Sequence, residues 1–376
     1  MRSTTIWRRE TPSRSIGRTG PCGMLCFPLL EVVLVLIFTG TAPIYKPRLD
    51  QSIAESMIVE QSVNRNLFAG SAGARNAHVT TDSDVSTIES PHSTVGFVGL
   101  GQMGFHMAHR LREADVELIV FDVDTARANE FIEQHGGAVA REAGDWACCD
   151  VVLLMLPNSA IVEDVLDGEI GSALSPGALI IDMSSSEPVR TRALAAALMA
   201  KGLRMLDAPV SGGVKGASEG RLSIMVGGAA VDLAQARPLL ELLGSKVFHV
   251  GGPGTGHAAK ALNNMVSAAT FSITAEALHV GERFGINPGM LNTILNASSG
   301  RSNTSENKIE QFVLSGTEGS GFSLRLMAKD VHIATDLARQ VKFPVPIGDA
   351  IDSVWSTTAN DIEPSTDHTA MYRLRS

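Results

Sequence analysis

Three glycines at a fixed spacing constrain the fold of this 376-residue chain more than any other feature. They lie in the segment GLGQMG, residues 99–104, directly after the apolar run Val95–Val98 and before an amphipathic stretch. In such a pattern the first glycine permits a tight turn, the second lets the backbone approach a pyrophosphate, and the third lets a helix pack closely on a strand. The alternative is a glycine-rich turn without a ligand. The context of the turn favours a dinucleotide site, formed by Gly99, Gly101, Gln102, Met103 and Gly104.

An acidic residue follows the second apolar run, eighteen positions after Gly104. In a dinucleotide fold, Asp122 at this place binds the ribose hydroxyls and repels a 2′-phosphate. Val123 and Asp124 supply no arginine that holds such a phosphate, so we predict NAD rather than NADP as the cofactor. A role for Asp122 as the cap of the next helix is the alternative, but Asp124 is better placed to cap it.

Short apolar runs alternate with amphipathic stretches from Thr94 onward. The runs predict buried strands at Val95–Val98, Leu118–Phe121, Val151–Leu156, Leu179–Ile181 and Ile224–Val226. The amphipathic stretches predict helices at Met103–Glu113, Thr125–His135 and Pro188–Lys201. This alternation predicts right-handed βαβ units and therefore a Rossmann-type, doubly wound, mostly parallel sheet of the α/β class over residues 94–255.

A long apolar run that begins near Gly256 predicts a buried helix extending to Phe284. About 29 residues at 1.5 Å each span some 40 Å, enough to cross between two domains. Apart from His257, Lys260 is the only ionisable residue from Gly256 to Thr274. Burial lowers the pKa of a lysine, as a general base working near neutral pH requires.

Polar neighbours strengthen the interpretation of Lys260 as a catalytic residue. Asn264, Asn263 and Ser267 follow it at positions i+4, i+3 and i+7, so a helix can bring them to one site. The alternative is a lysine whose stem packs while its amine reaches water. Upstream, Ser211-Gly212-Gly213 can present consecutive backbone N–H groups to a carboxylate, although a flexible glycine-rich surface loop is the other reading.

Several segments together resemble one enzyme family. They are GLGQMG at 99–104, DMSSSEP at 182–188, DAPVSGGVKGA at 207–217, GTGHAAKALNN at 254–264, and Lys329-Asp330. From about Thr94 to the C-terminus the chain resembles the β-hydroxyacid dehydrogenases, of which 3-hydroxyisobutyrate dehydrogenase is typical.

The resemblance assigns roles to individual residues. It implies substrate binding by Ser211, Gly212 and Gly213, acid/base catalysis by Lys260, substrate orientation by Asn264, and cofactor contacts from Met155, Leu156, Pro157, Ser184 and Lys329. It also implies an all-helical C-terminal domain, residues 256–376, that supports homodimers or homotetramers.

The reaction expected from the resemblance is NAD-dependent oxidation of a small 3-hydroxy acid, with 3-hydroxyisobutyrate and methylmalonate semialdehyde as the leading substrate and product. Tartronate semialdehyde reduction and threonate-type dehydrogenation are alternatives within the class. Imine reduction and a non-catalytic NAD-binding module are alternatives outside it, and Lys260 together with Asn264 argues against both.

Composition excludes several other classes. The net charge of −9 gives no basic surface for nucleic acid, and no His or Cys cluster has the spacing of metal ligands. Residues 1–93 read as a non-domain extension: an arginine-rich start, the apolar stretch Met24–Phe38, and a polar linker. We expect either an over-extended gene start, a mitochondrial leader or a membrane-directing segment. A cytoplasmic enzyme, or a mitochondrial matrix enzyme in a eukaryote, is the expected localisation.

Overall fold

The computed structural model describes residues 94–375, which fall within one compact unit. Its strands form one sheet and are β1 Thr94–Val98, β2 Leu118–Phe121, β3 Ala138–Val139, β4 Cys149–Leu154, β5 Leu179–Asp182, β6 Arg204–Asp207, β7 Val210–Ser211, β8 Ser223–Gly227 and β9 Lys246–Gly251. The order across the sheet is β3-β2-β1-β4-β5-β6-β8-β7, and β9 also pairs with β8. Strands β1 to β6 pair in parallel, whereas β8 runs antiparallel to both β6 and β7.

Helices connect and cover the strands. They are α1 Gly104–Glu113, α2 Thr125–His135, α3 Ser159–Asp167, α4 Glu169–Ala173, α5 Pro188–Ala200, α6 Gly213–Ser218 and α7 Ala230–Leu243. The strand order reverses beside β1, because the chain runs outward through β2 and β3 and then returns to β4 on the other side. Ligands of open α/β sheets bind at such a switch point, beyond the carboxyl ends of the strands.

Alternate residues of the central strands point to two separate cores. Val151 and Leu153 of β4 join the apolar cluster on one face, and Val152 and Leu154 join the cluster on the other. Because successive side chains of a strand point to opposite faces, a near-continuous apolar run places helices on both sides of the sheet. The doubly wound α/β architecture predicted from the sequence is confirmed.

The remainder of the described chain is helical. It comprises α8 Thr255–Phe284, α9 Pro288–Asn296, α10 Asn303–Asn307, a π-helical turn Ile309–Leu314, α11 Leu324–Gln340, α12 Pro346–Asn360, a 3₁₀ turn His368–Ala370 and α13 Met371–Leu374. The long helix α8 packs on β8 at its start and on α11 and α12 further along. Phe271 of α8 and Trp355 of α12 are fully buried in the core of this helical part. The helical C-terminal region is therefore as expected.

Predicted and observed elements differ mainly at their ends. Strand β4 begins at Cys149 rather than Val151 and ends at Leu154 rather than Leu156, whereas β2, α2 and the end of α8 at Phe284 fall where the pattern places them. The sequence interpretation did not include β6 or β9. Among the described helices none is long and apolar enough to cross a membrane. The interpretations of residues 1–93, including Met24–Phe38, lie outside the described residues.

Candidate active site

The glycine turn lies between β1 and α1 at the switch point of the sheet. Gly99 has a φ of +96°, and a Cβ on Gly104 would lie 1.9 Å from the carbonyl oxygen of Gly99. A side chain is therefore excluded at both positions. A Cβ on Gly101 would meet no atom within 4 Å, so the space in front of this residue is open. Met103 precedes α1 without a capping side chain, so no side chain competes with an anion for the start of the helix, where the N–H of Phe105 donates to the carbonyl oxygen of Gly101 at 3.2 Å.

Asp122 lies at the carboxyl end of β2, beside the glycine turn. Its Oδ2 accepts the N–H of Leu100 at 2.6 Å and its Oδ1 accepts the N–H of Asp124 at 2.9 Å. Asp124 is the N-cap of α2 and accepts the N–H groups of Ala126 and Arg127. The capping role thus belongs to Asp124, as the sequence indicated. Asp122 keeps further acceptor capacity toward the turn, since each carboxylate oxygen accepts more than one hydrogen bond.

Arg127 is a neighbour of the turn that sequence reasoning missed. Its Nε donates to the carbonyl oxygen of Leu100, its Nη2 lies 3.5 Å from that of Gly101, and its guanidinium stacks on Phe105 at 5.1 Å from the ring centroid. It lies beyond Val123 and Asp124, the two positions after Asp122 from which a cation was expected. Arg127 lies in the first turn of α2, which brings its side chain to the glycine turn.

Two further loops meet at the carboxyl ends of β4 and β5. The N–H of Leu156 donates to Oγ of the buried Ser184 at 2.9 Å. Lys329 of α11 reaches both loops, because its Nζ donates to the carbonyl oxygens of Pro157 at 3.0 Å and Ser185 at 2.8 Å. This amine therefore ties the helical region to the loops at the edge of the sheet. The structure brings together Leu156, Pro157, Ser184 and Lys329, four of the residues predicted to contact the cofactor.

Lys260 lies in the second turn of α8 with only 7% of its surface exposed. Burial lowers the pKa of its ammonium, the carboxylate of Asp330 raises it, and the charge of Lys329 lowers it. The amine lies 5.8 Å from the centre of the Phe322 ring. Within residues 94–375, Lys260 forms no ion pair or hydrogen bond, so its amine is available to a ligand.

Asn264 lies one turn after Lys260 and is 5% exposed. Its Nδ2 donates to Oδ2 of the buried Asp330 at 2.6 Å, and its Oδ1 accepts from Nδ2 of Asn263 at 3.1 Å, so both ends of the amide are oriented. Oδ1 of Asp330 is buried and has no hydrogen-bond partner among the described residues. The sequence placed Asn263 in the same group, and its side chain is exposed but donates to Oδ1 of Asn264. Asn264 is therefore the buried asparagine beside Lys260, and Asn263 helps to orient it.

The glycine loop follows β7. Gly212 and Gly213 have φ values of +141° and +64°, which ordinary residues rarely adopt, and Ser211 is partly exposed. A Cβ on Gly213 would lie 3.8 Å from the carbonyl oxygen of Ser320, in the segment that leads to Phe322. The loop therefore borders the same region as Lys260 through the segment 320–322.

Asp207 fixes the start of α8. Its buried carboxylate, at the end of β6, accepts the N–H of Gly254 at 2.7 Å and the N–H of His257 at 2.9 Å. Gly256 packs against the strand ends so closely that a Cβ would lie 2.3 Å from the carbonyl oxygen of Met225. The first turn of the helix is thereby anchored to the sheet, and Lys260 follows directly. The sequence interpretation did not assign this role.

These features define an oxidoreductase of the nicotinamide dinucleotide type, with a buried lysine in the long helix that follows the sheet. Residues 94–251 match the NAD binding domain of 6-phosphogluconate dehydrogenase, and residues 254–375 match the domain described as NAD-binding of NADP-dependent 3-hydroxyisobutyrate dehydrogenase.

Curated relatives and solved structures agree with this assignment. The 3-hydroxyisobutyrate dehydrogenase of Pseudomonas aeruginosa is 38% identical over 275 residues, which cover 70% of this chain and 92% of the relative. The 2-(hydroxymethyl)glutarate dehydrogenase of Eubacterium barkeri is 37% identical over 255 residues, covering 67% and 85%. The structure of Mycobacterium tuberculosis 3-hydroxyisobutyrate dehydrogenase with L-serine superposes with a TM-score of 0.71 at 33% identity, covering 76% of this chain and 99% of that one.

The chain belongs to the β-hydroxyacid dehydrogenase family. It is an oxidoreductase that uses a nicotinamide dinucleotide and acts on hydroxyl groups, as the resemblance implied. The open space at Gly101, the uncapped start of α1 and the nearby Asp122 fit such a cofactor.

Proposed function

We propose that the protein oxidises small 3-hydroxy carboxylic acids with NAD, with Lys260 as the general acid/base and 3-hydroxyisobutyrate as the reference substrate. The observation that carries the proposal is the buried amine of Lys260, which forms no internal ion pair and whose pKa is lowered by burial. A lysine in this state accepts a proton near neutral pH more readily than an exposed one.

The residues of the chain divide the reaction between them. NAD supplies the hydride acceptor when it is bound. Nζ of Lys260 takes the proton of the hydroxyl group as the C–H bond of the same carbon is broken, and in the reverse direction it returns that proton to the carbonyl oxygen. Asn264, held by Asp330, orients the substrate beside the amine. A primary hydroxyl group gives an aldehyde acid, such as methylmalonate semialdehyde from 3-hydroxyisobutyrate, and a secondary one, as at C3 of threonate, gives a keto acid.

The substrate carboxylate is assigned to the loop Ser211-Gly212-Gly213. Two consecutive glycines with positive φ expose the backbone there without side chains in the way, and backbone N–H groups of such a turn bind anions. The adjacent segment 320–322 places this loop beside the region of Lys260. A carboxylate on the loop would hold the hydroxyl-bearing end of the acid for proton transfer.

The cofactor is assigned to the edge of the sheet. The phosphates would bind at Gly99, Gly101, Gln102, Met103 and Gly104. The nicotinamide end would face Leu156, Pro157 and Ser184, with Lys329 holding those loops in place. Asp122 favours NAD because its carboxylate repels a 2′-phosphate. Arg127 is the one cation beside this turn within the described residues, and its donors already engage the carbonyl groups of Leu100 and Gly101.

The compartment and assembly remain parts of the proposal. A cytoplasmic enzyme, or a mitochondrial one in a eukaryote, has access to NAD and to small hydroxy acids. Homodimers or homotetramers would form through the helical C-terminal region. With an NAD-binding domain of residues 94–255 and a helical domain of residues 256–376, the proposed reaction would take place at the junction between them.

Initial rates test the function. We expect the purified protein to oxidise 3-hydroxyisobutyrate, glycerate and threonate at measurable rates, with a higher kcat/KM for NAD than for NADP. Lys260→Met should reduce turnover of every acid by about 10²- to 10⁴-fold, the usual contribution of a general acid/base. NAD affinity, measured by calorimetry, should change little.

The matched control is Lys201→Met, which removes an exposed lysine paired only with Asp167 on the surface. This variant should retain the parental rates. Turnover by Lys260→Met at the parental rate would contradict the assignment of the base. A parent protein that binds NAD but oxidises none of the acids would contradict the proposed function itself.

A further inference from the structure

Near Lys260 lies another lysine, Lys308, which is partly buried and to which the proposed mechanism assigns no role. Lys308 follows α10, and its Nζ donates to Oγ of Ser267 at 3.2 Å and contacts Nε2 of His368 at 3.1 Å. Ser267 lies 41 positions before Lys308 in the sequence, and His368 lies 60 positions after it. We call these three residues the Lys308 cluster. Two of the three donors of an ammonium group are used there, and one is left.

His368 accepts from the lysine as a neutral imidazole. The ring is 2% exposed, and its Nδ1 faces Oγ of Ser320 at 2.9 Å and the carbonyl oxygen of Phe322 at 3.2 Å. The carbonyl needs a donor, so Nδ1 carries the proton and Nε2 offers a lone pair to Lys308. Burial and the charge of Lys308 lower the pKa of His368 to about 4, which agrees with this tautomer.

Lys308 is charged at neutral pH, although it lacks a counter-ion in direct contact. Burial lowers its pKa to about 8, while the more distant Asp367 raises it and Lys260 lowers it. Asp367 itself accepts hydrogen bonds from Ser320 and from the N–H of Gly321. Within residues 94–375 no carboxylate forms an ion pair with Lys308. An anionic or oxygen-bearing ligand would supply that missing partner.

The Lys308 cluster borders the proposed substrate site. Ser267 lies two turns beyond Lys260 on α8 and therefore on the same side of the helix. The ring of Phe322 lies 5.8 Å from Nζ of Lys260 and 6.0 Å from the ring of His368, which in turn contacts Lys308. The segment 320–322 also borders Gly213. A substrate held at the glycine loop and at Lys260 would turn its third branch, the substituent on C2, toward this segment.

We propose that Lys308 is a specificity residue that binds an oxygen atom on the C2 substituent of the substrate, either a hydroxyl or a second carboxylate. This inference rests on the proposed function and narrows its substrate class. It ranks glycerate and 2-(hydroxymethyl)malonate above 3-hydroxyisobutyrate, whose C2 methyl group offers no acceptor. L-serine ranks last, because its C2 ammonium meets a like charge. His368 is a positioning residue that holds the amine of Lys308 in place.

Substrate ratios test the inference. In the parent protein, kcat/KM for glycerate and for 2-(hydroxymethyl)malonate should exceed that for 3-hydroxyisobutyrate. Lys308→Met should lower the ratio of kcat/KM for each of these two acids to that for 3-hydroxyisobutyrate by about 10- to 100-fold, as expected for loss of a hydrogen bond to a charged group. Lys201→Met, the exposed control, should leave the ratios unchanged. The acid with the larger loss tells whether the preferred oxygen belongs to a hydroxyl or to a carboxylate.

Two further measurements separate specificity from folding. His368→Gln keeps an acceptor near the position of Nε2, so the ratio of kcat/KM for glycerate to that for 3-hydroxyisobutyrate should stay close to the parental value. His368→Phe removes the acceptor and should lower this ratio, as Lys308→Met does. Binding of glycerate to the NADH-loaded protein, measured by calorimetry, reports the same preference without turnover. If Lys308→Met weakens glycerate and 3-hydroxyisobutyrate equally, or changes neither, the inference is wrong. Failure of the parent to oxidise any acid, while Lys308→Met still loses glycerate binding, would contradict only the proposed function.

Discussion

Burial and two charges set the proton affinity of Lys260. Removal from water lowers its pKa, and Lys329 acts in the same direction, whereas the carboxylate of Asp330 opposes both. Burial is the largest of these effects, so the neutral amine becomes accessible below the usual titration range of lysine. The same Asp330 also orients Asn264. One carboxylate thus limits how far the pKa of Lys260 falls and positions its neighbour.

The direction of this shift predicts opposite pH profiles for the two directions of the reaction. Oxidation needs the neutral amine, so kcat/KM should rise with pH and reach its plateau below the ordinary lysine pKa of about 10.4. Reduction needs the ammonium form, so its rate should fall as pH rises through the same pKa. Initial rates in both directions, in buffers of constant ionic strength, measure the two limbs.

Asp330→Asn provides a variant for this prediction. It removes the charge that raises the pKa of Lys260 while keeping an oxygen for Asn264, so both limbs should move to lower pH. If the rates of oxidation and reduction change with pH in the same direction, Lys260 is not the titrating base. The same conclusion follows if the pH profiles of Asp330→Asn move to higher pH.

At the scale of elements, the start of α8 connects the sheet to the chemistry. Asp207 at the end of β6 accepts two N–H groups of this helix start, and Lys260 follows one turn later. Asp124 does the same for α2, on the surface and away from Lys260. Each aspartate accepts N–H groups at the start of a helix, Asp124 as an exposed N-cap and Asp207 as a buried side chain from the sheet, but only the helix held by Asp207 carries the base.

Replacement of Asp124 by alanine should lower the free energy of unfolding by about 0.5–2 kcal/mol, the usual contribution of a capping side chain. Asp207→Ala should lower it by more, because the buried N–H groups of Gly254 and His257 would lose their acceptor. Asp207→Ala should in addition lower kcat, because the turn that carries Lys260 loses its anchor. Asp124→Ala should leave kcat unchanged. Urea unfolding and initial rates on the same samples provide both numbers. Equal effects of the two substitutions on kcat would exclude a positional role for Asp207.

The elements also show which parts of the fold are encoded locally. Strand β2 and helices α2 and α8 were predictable because long periodic or apolar runs define them. Strand β6, Arg204–Asp207, is short and has charged residues at both ends, and β9, Lys246–Gly251, lies mostly exposed at the edge without a sustained apolar pattern. Both strands form because they pair with neighbouring strands, and a local sequence pattern contains no information about that pairing.

The residues of the candidate site also fall into those that a local sequence pattern predicts and those that it does not. The glycine turn, Asp122, Lys260 and Asn264 were found because each lies within a motif or within one helix face. Arg127, Lys308 and His368 were missed, whereas Ser267 was expected near Lys260 from its position on the helix. The contacts of the missed residues depend on how separate segments pack, as the 60 positions between Lys308 and His368 illustrate. Spacing along the chain carries no signal for such contacts.

At the scale of the whole molecule, apolar side chains cover the sheet on both faces, but one face of α8 remains exposed. Val266, Ile273 and Val280 recur every seventh residue and are 59%, 63% and 67% exposed, and Phe284 follows at 85%. Opposite them, Phe271 and Leu278 of the same helix are fully buried. A helix with apolar residues on both sides is typical of one that packs against other protein surface on both sides.

A second copy of the chain is the occupant we predict for this face, because a repeat of seven matches the packing of one helix along another. Light scattering should give at least twice the mass of one chain. Ile273→Glu with Val280→Glu should shift the protein toward the monomer, since two charges would be buried without partners. Met199→Glu, at an exposed apolar position of α5, is the control and should keep the parental mass. A parent protein that runs as a monomer at micromolar concentration would refute the predicted homodimer or homotetramer, whereas an oligomer unaffected by the α8 substitutions would place the interface on another face.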